Sequence, residues 1–352
     1  MNPAEALAAR LAPLWSAPAP SGREEHLRTI VADRWAPLVE HLEVEQLGNL
    51  VARVAGAGPR TLVLAHLDEI GWVVRHVDAN GFLFLDTAQG RRGAGPEPRH
   101  MVGHQVSVLG REGVVAEGVL AAASGHVVTT EQAEKPVGGW DDIFIDIGAS
   151  SAGEVAERGV YVGSNVVFRN PPRSIGNRIV GAGMDDRICL CVIELLLEAV
   201  AGRELTCELF VAATVQEENG LHGARALARA RRFDRIIALD VGLVGDIPTV
   251  GAKNYECLLG AGPILAHKDA LVAYDHDLTW ALADCADAVG VPWQHGVFAG
   301  YGSDGLAFVE EGMRTALVGV PTRYTHSPFE MIDPHDVDST AQLLTGFVSV
   351  AP

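Results

Sequence analysis

Residues 62–71 read LVLAHLDEIG. The unbroken apolar run 62–65 is short and suits a strand buried on both faces. His66 and Asp68 follow directly at its carboxyl end. The same grammar recurs. In LFVAATVQEENG, 209–220, the run ends in Glu217 and Glu218. In RIIALDVG, 235–242, it ends in Asp240, and in ALVGVPTRYTHSP, 316–328, His326 stands just beyond it. GAGMDDR, 181–187, puts Asp185 and Asp186 at the start of a helical stretch. In an open α/β sheet, ligands bind beyond the carboxyl ends of the strands. Parallel strands would therefore bring all five clusters to one edge.

Ahead of this run in the chain, the spacing predicts helices over 3–16 and 23–38. Ser21 and Glu24 read as a capping box for the second. Strand-like runs follow at 49–55 and 61–65. The texture then changes to short β-like runs at 71–77, 81–86, 105–109, 113–120 and 143–147, with one helical stretch at 152–158. From about 166 it alternates again: helix 186–201, strand 207–215, helix 224–231, strand 235–239, helix 278–290, strand 314–320 and helix 336–348. The fold class read from this is α/β, a mainly parallel mixed sheet flanked by helices, with a small β-rich domain inserted. The expected division is 1–72 and 166–352 for the larger domain and 73–165 for the insert. Exposed strand edges on such an insert would need covering, which suggests pairing with another copy.

The 352 residues carry 27 Lys and Arg against 45 Asp and Glu, a net charge of −18. That balance disfavours nucleic-acid and anionic-membrane partners. No apolar run approaches the roughly 20 residues of a membrane span, and the Ala-rich start lacks a basic leader. Five cysteines without a CxxC pair read as reduced thiols. A cytoplasmic protein is the expectation.

His66, Asp185, Glu218, Asp240 and His326 offer two imidazoles and three carboxylates. That donor set suits two divalent ions of the zinc or cobalt type, with manganese also possible. Asp68, two residues after His66, could accept the second ring N–H and fix the ring. Glu217, beside Glu218, is left free to act as general base on a water.

AHLDEIGW, GAGMDDR, VQEENGLHGA, ALDVG and RYTHSP resemble the motifs of the M42 metallo-aminopeptidases, the glutamyl-aminopeptidase-like and tetrahedral TET enzymes. The stretch 142–168 resembles that family's return from its inserted domain. The resemblance implies a zinc-peptidase-like fold with a PDZ-like or barrel-like insert used in oligomerisation, up to a dodecameric shell, and peptide substrates. It implies that His66 and Asp240 hold one metal, Glu218 and His326 the other, and Asp185 both. Asp186 would follow Asp185 through a cis peptide. Glu217 would be the base and Asp68 the residue that orients His66.

Other chemistries fit less well. No GxSxG elbow is present for a serine hydrolase. A glycosidase would use Glu217 and a second acid but leave the histidines without a role. A non-catalytic peptide-binding scaffold would suit a chain that lacked a ligand. A related dinuclear deacylase or carboxypeptidase would need a cation for the substrate carboxylate, and Arg187 and Arg323 are the nearest candidates. Residues 300–305 read as a turn bordering the site, and His222 as a loop residue.

Overall fold

A computed structural model describes residues 2–88, 98–123, 126–130, 139–251 and 253–349. An 11-stranded mixed sheet has four parallel strands at its centre, in the order Glu208–Thr214, Arg60–His66, Arg235–Leu243, Thr315–Arg323. Thr214 pairs with His66 and Ile236 with Leu62, so the strands run in step and their carboxyl ends share one edge.

The run 62–65 is wholly apolar because both faces of its strand are covered. Val63 and Ala65 pack with helices Pro3–Trp15, Glu25–Trp35, Met184–Val200, His276–Val289 and Pro334–Val348. Leu62 and Leu64 pack on the other side, with helices His222–Ala230 and Gly305–Glu310. Local signals set several helix ends. Asn2 and Glu5 form a capping box, Asp275 accepts from the Leu278 N–H, and Gly290 ends its helix with φ 73°.

The fold class is the one expected, but the sheet borders are antiparallel. Leu50–Val54 returns against Glu208–Thr214, while Glu330–Ile332 and Ile264–Lys268 return against Thr315–Arg323. These border strands are short, and 264–268 and 330–332 carry no alternation that the sequence could reveal. The capping box expected at 21–24 does not form. The helix is Glu25–Trp35 with no side-chain cap, because Ser21 and Glu24 turn instead toward the strand ends.

Six antiparallel strands, Trp72–Val77, Leu83–Thr87, Phe144–Asp146, Val114–Ala121, Gln105–Leu109 and Asn165–Phe168, close into a barrel. Its interior is apolar, with the Trp72 ring edge-on to Phe168 at 4.8 Å between centroids. Closure changes the expectation of exposed edges: each strand finds two neighbours, so the barrel has no free edge. Its outer surface is nevertheless partly apolar, with Val114, Val119, Tyr161 and Val162 exposed. Among the described residues no helix is long and apolar enough to cross a membrane. All five cysteines are unpaired.

Candidate metal centre

The in-step strands deliver His66 and Asp240 to one edge, and helix Met184–Val200 enters there with Asp185 and Asp186. The Asp185–Asp186 peptide is cis. Asp185 lies between two imidazoles: its Oδ1 is 2.9 Å from His66 Nε2 and its Oδ2 is 3.4 Å from His326 Nε2. His326 Nε2 is also 3.5 Å from Glu218 Oε1. Two groups of donors result, His66–Asp185–Asp186–Asp240 and Asp185–Glu218–His326, each with donor atoms within 4.8 Å of one another. Asp185 belongs to both.

The electrostatics follow from acids and imidazoles packed together out of water. Burial pushes the Asp186, Asp240 and Glu217 carboxyls well up, and neighbouring acids push the same way. Burial alone would pull the His66 imidazole down, but hydrogen bonds to Asp185 and Asp68 and the Asp186 charge raise it well above its ordinary value. His326 is likewise raised by Glu218 and Asp185 against its burial. Asp185 goes the other way: burial opposes ionisation, but the two imidazoles outweigh it and hold the carboxyl down. Asp186 Oδ1 and Glu218 Oε1 are buried without a hydrogen-bond partner. Such orphaned oxygens are costly unless something binds them. Imidazole and carboxylate donors with unfilled lone pairs fit a divalent transition metal.

Buried carboxylates hold this edge in shape. Asp68 accepts from the Glu217 N–H at 2.9 Å, the Glu218 N–H at 3.2 Å and the Ser21 hydroxyl at 2.6 Å. Its expected contact with the His66 ring is made differently. The Asp68 backbone carbonyl is 2.9 Å from His66 Nδ1, while the carboxylate stands 3.6 Å away, drawn off by the two amides and the hydroxyl. Two strand ends continue through left-handed residues, Gln216 at φ 57° and His326 at φ 60°. Each is clamped by a glutamate from elsewhere. Glu24 accepts from the Gln216 N–H at 3.1 Å, and Glu330 from the His326 N–H at 2.9 Å. Glu330 also accepts from the Met184 N–H at 2.7 Å and the Asp185 N–H at 3.2 Å.

Glu24 gives a pH-dependent handle on stability. Burial, with Asp68 nearby, pushes its carboxyl from 4.5 up to about 7. A carboxyl raised on folding stabilises fully below its unfolded value, and that contribution is lost as pH rises to the folded one. Glu24→Gln keeps an acceptor for the Gly22 and Gln216 amides but removes the buried charge. The variant is expected to gain about 2–3 kcal/mol over the parent at pH 8 and nothing at pH 4. Denaturant unfolding at both pH values checks this, and an equal change at both contradicts it.

A cavity of about 590 Å³ opens onto the two groups, lined by His66, Asp185, Glu217, Glu218, Asp240 and His326 among others. Thus the residues singled out as ligands and base meet at one place, with Asp68 fully buried behind them. Asp186 and Glu330 were not singled out as site members. Asp186 differs from Asp185 by one position, and Glu330 stands four residues after His326, with no local signal for a supporting role. The two arginines weighed for substrate binding are occupied. Arg187 pairs with Glu69 at 2.7 Å, buried, and donates to the Leu14 and Ala17 carbonyls. Arg323 pairs with Asp246. Neither lines the cavity, whereas Gly300, Tyr301 and Gly302 of the 300–305 turn do. His222 belongs to neither donor group.

A mixed sheet whose strand ends gather two imidazoles and a set of carboxylates around one cavity makes a site that could hold divalent metal ions. A family model described as M42 glutamyl aminopeptidase matches residues 48–343. The chain is 33% identical over 342 residues to the FrvX protein of Escherichia coli K12, covering 96% of this chain and 93% of that one. Its structure resembles that of an aminopeptidase from the archaeon Desulfurococcus kamchatkensis, with TM-score 0.90, 30% identity and 99% and 95% of the two chains covered. It also resembles the TET1 peptidase of Pyrococcus horikoshii, with TM-score 0.84, 27% identity and coverage of 95% and 96%. That peptidase is described as assembling into a tetrahedron or a large octahedral shell. The chain belongs to the M42 family of aminopeptidases.

Proposed function

We propose that the protein is a dinuclear metal-dependent aminopeptidase that removes N-terminal residues from peptides. The observation that carries the reading is the pair of donor groups sharing Asp185. His66 and Asp240 would hold one divalent ion, Glu218 and His326 the other, and Asp185 both. Bound there, such ions polarise a scissile carbonyl and lower the pKa of water. Glu217, at the cavity wall and outside both donor groups, takes a proton from the attacking water and passes it to the leaving amine. Asp68 positions Glu217 and Glu218 through their backbone amides.

The cavity lining also supports this reading over a carboxypeptidase or deacylase. No Lys or Arg is among the described residues that line it, so a substrate carboxylate would find no counter-charge. The zinc or cobalt preference rests on the mixed imidazole and carboxylate donors. The test is chelation. Metal-stripped protein is expected to lose aminoacyl-nitroanilide hydrolysis and to recover it with Zn²⁺, Co²⁺ or Mn²⁺, at two ions per chain by elemental analysis. Full turnover in protein verified as metal-free would refute the reading.

The insert at 73–165 carries none of the proposed ligands, and we assign it to self-association, with 1–72 and 166–352 as the catalytic part. Exposed Val114, Val119, Tyr161 and Val162 on the barrel exterior support that role. A homo-oligomer is expected, a dodecamer by analogy with shell-forming relatives, with peptides as substrates. Five unpaired thiols fit a cytoplasmic setting. Light scattering at micromolar concentration decides the assembly: a monomer removes the role assigned to the insert.

A further inference from the structure

Apart from the proposed ligands and base, two loops build much of the cavity wall. One carries Ala270 and Leu271, the other Gly300, Tyr301 and Gly302. They are tied into one unit. The Ala270 N–H donates to the Tyr301 carbonyl at 3.0 Å. Asp269 accepts from the Leu271 and Val272 amides at 2.6 Å each and from the Tyr274 hydroxyl at 2.5 Å. The Tyr274 hydroxyl is in turn 2.9 Å from Ser303 Oγ. A Cβ on Gly302 would come within 3.0 Å of the Leu271 side chain, so the glycine lets the loops close on each other. Asp269, Val272, Tyr274 and Ser303 at the base of this unit are buried, whereas Ala270 and Leu271 at the loop tip are exposed.

The chemistry of that wall is apolar. Leu271 stands at its rim, 61% exposed, with Val241, Leu243, Ala270 and the Tyr301 ring beside it. Tyr301 adds a buried hydroxyl that faces Asp240 and is kept neutral by burial and by that carboxylate. Among the described residues, the acids that line the cavity are Asp185, Glu217, Glu218 and Asp240, all of them proposed ligands or base. A charged side chain placed against the wall would lose water and gain no dedicated partner. An aliphatic one would gain with each buried methylene.

We infer that this wall receives the side chain of the residue being removed and selects an uncharged aliphatic one of leucine or methionine size, with Leu271 as a specificity-determining residue. The inference rests on the aminopeptidase reading above and goes beyond it by naming the substrate class.

The test uses the full-length, metal-loaded protein and five aminoacyl-p-nitroanilides. Leucyl and methionyl substrates are expected to exceed alanyl by about tenfold in kcat/KM, and lysyl and glutamyl by about a hundredfold or more. Leu271→Arg should raise the glutamyl-to-leucyl ratio at least about tenfold, and Leu271→Asp should do the same for lysyl. A readout independent of turnover uses the decarboxylated forms of leucine, lysine and glutamate. Isoamylamine should raise the unfolding temperature, while cadaverine and 4-aminobutyrate should not. A parent enzyme that prefers lysyl or glutamyl substrates overturns the inference and leaves the aminopeptidase reading intact. So do Leu271 variants that hydrolyse with unchanged ratios. Absence of turnover on all five substrates overturns the aminopeptidase reading and the inference together. Should a variant fail to fold, the parent panel and the amine binding still decide.

Discussion

Glu217→Gln is expected to lower kcat by about 10²- to 10⁴-fold while the protein retains as much metal as the parent. The amide is isosteric but cannot accept the proton that hydrolysis takes from water. The Glu217 side chain lies at the cavity wall and belongs to neither donor group, whereas its backbone N–H is held by Asp68 at 2.9 Å. The substitution leaves that amide in place, so the geometry of the turn should survive. Glu218→Gln is the contrasting variant, because Glu218 Oε1 lies in the group with Asp185 and His326. It should weaken one of two sites, visible as a lower metal content on dialysis. Kinetics and elemental analysis on both variants separate the roles. Near-normal turnover in Glu217→Gln together with full metal content in Glu218→Gln would reverse the assignment.

Glu330→Ala should unfold more easily by about 3 kcal/mol or more and bind metal about 10- to 100-fold more weakly. Its carboxylate is 1% exposed and receives three backbone amides, those of Met184, Asp185 and His326. Two of these belong to proposed ligands on different elements, so one side chain sets the spacing between them. Removing it leaves three buried donors without an acceptor and frees the left-handed turn at His326. Glu330→Gln should fall between the parent and Glu330→Ala, because one of its two carboxylate oxygens becomes a donor facing donors. Chemical denaturation gives the stability and a competing chelator the affinity. Unchanged metal affinity in a folded Glu330→Ala protein would show that Glu330 does not position the ligands.

The class of fold and most residues of the candidate centre were legible in local patterns of the chain. Runs such as 62–65 and 236–239 are apolar throughout because their strands are covered on both faces, and that signature is local. An acid or histidine ending such a run announces a site for the same reason: it breaks the pattern at the edge where ligands bind. His66, Glu217, Glu218, Asp240 and His326 were legible on those grounds, and Asp185 from its motif at a helix start. Tertiary structure decided what long-range approach alone can decide. Glu330 reaches Asp185 across 145 residues of sequence, and Glu24 reaches Gln216 across 192. Ser21 and Glu24 satisfied a local helix-capping pattern, yet partners at distant strand ends took both side chains. The inserted strands suggested open edges until closure gave every strand two neighbours. The Asp68 carboxylate, two residues from His66, turned to the Glu217 and Glu218 amides instead. In each case the local pattern fixed what a residue could bind. The folded chain fixed which donor stood close enough to be bound.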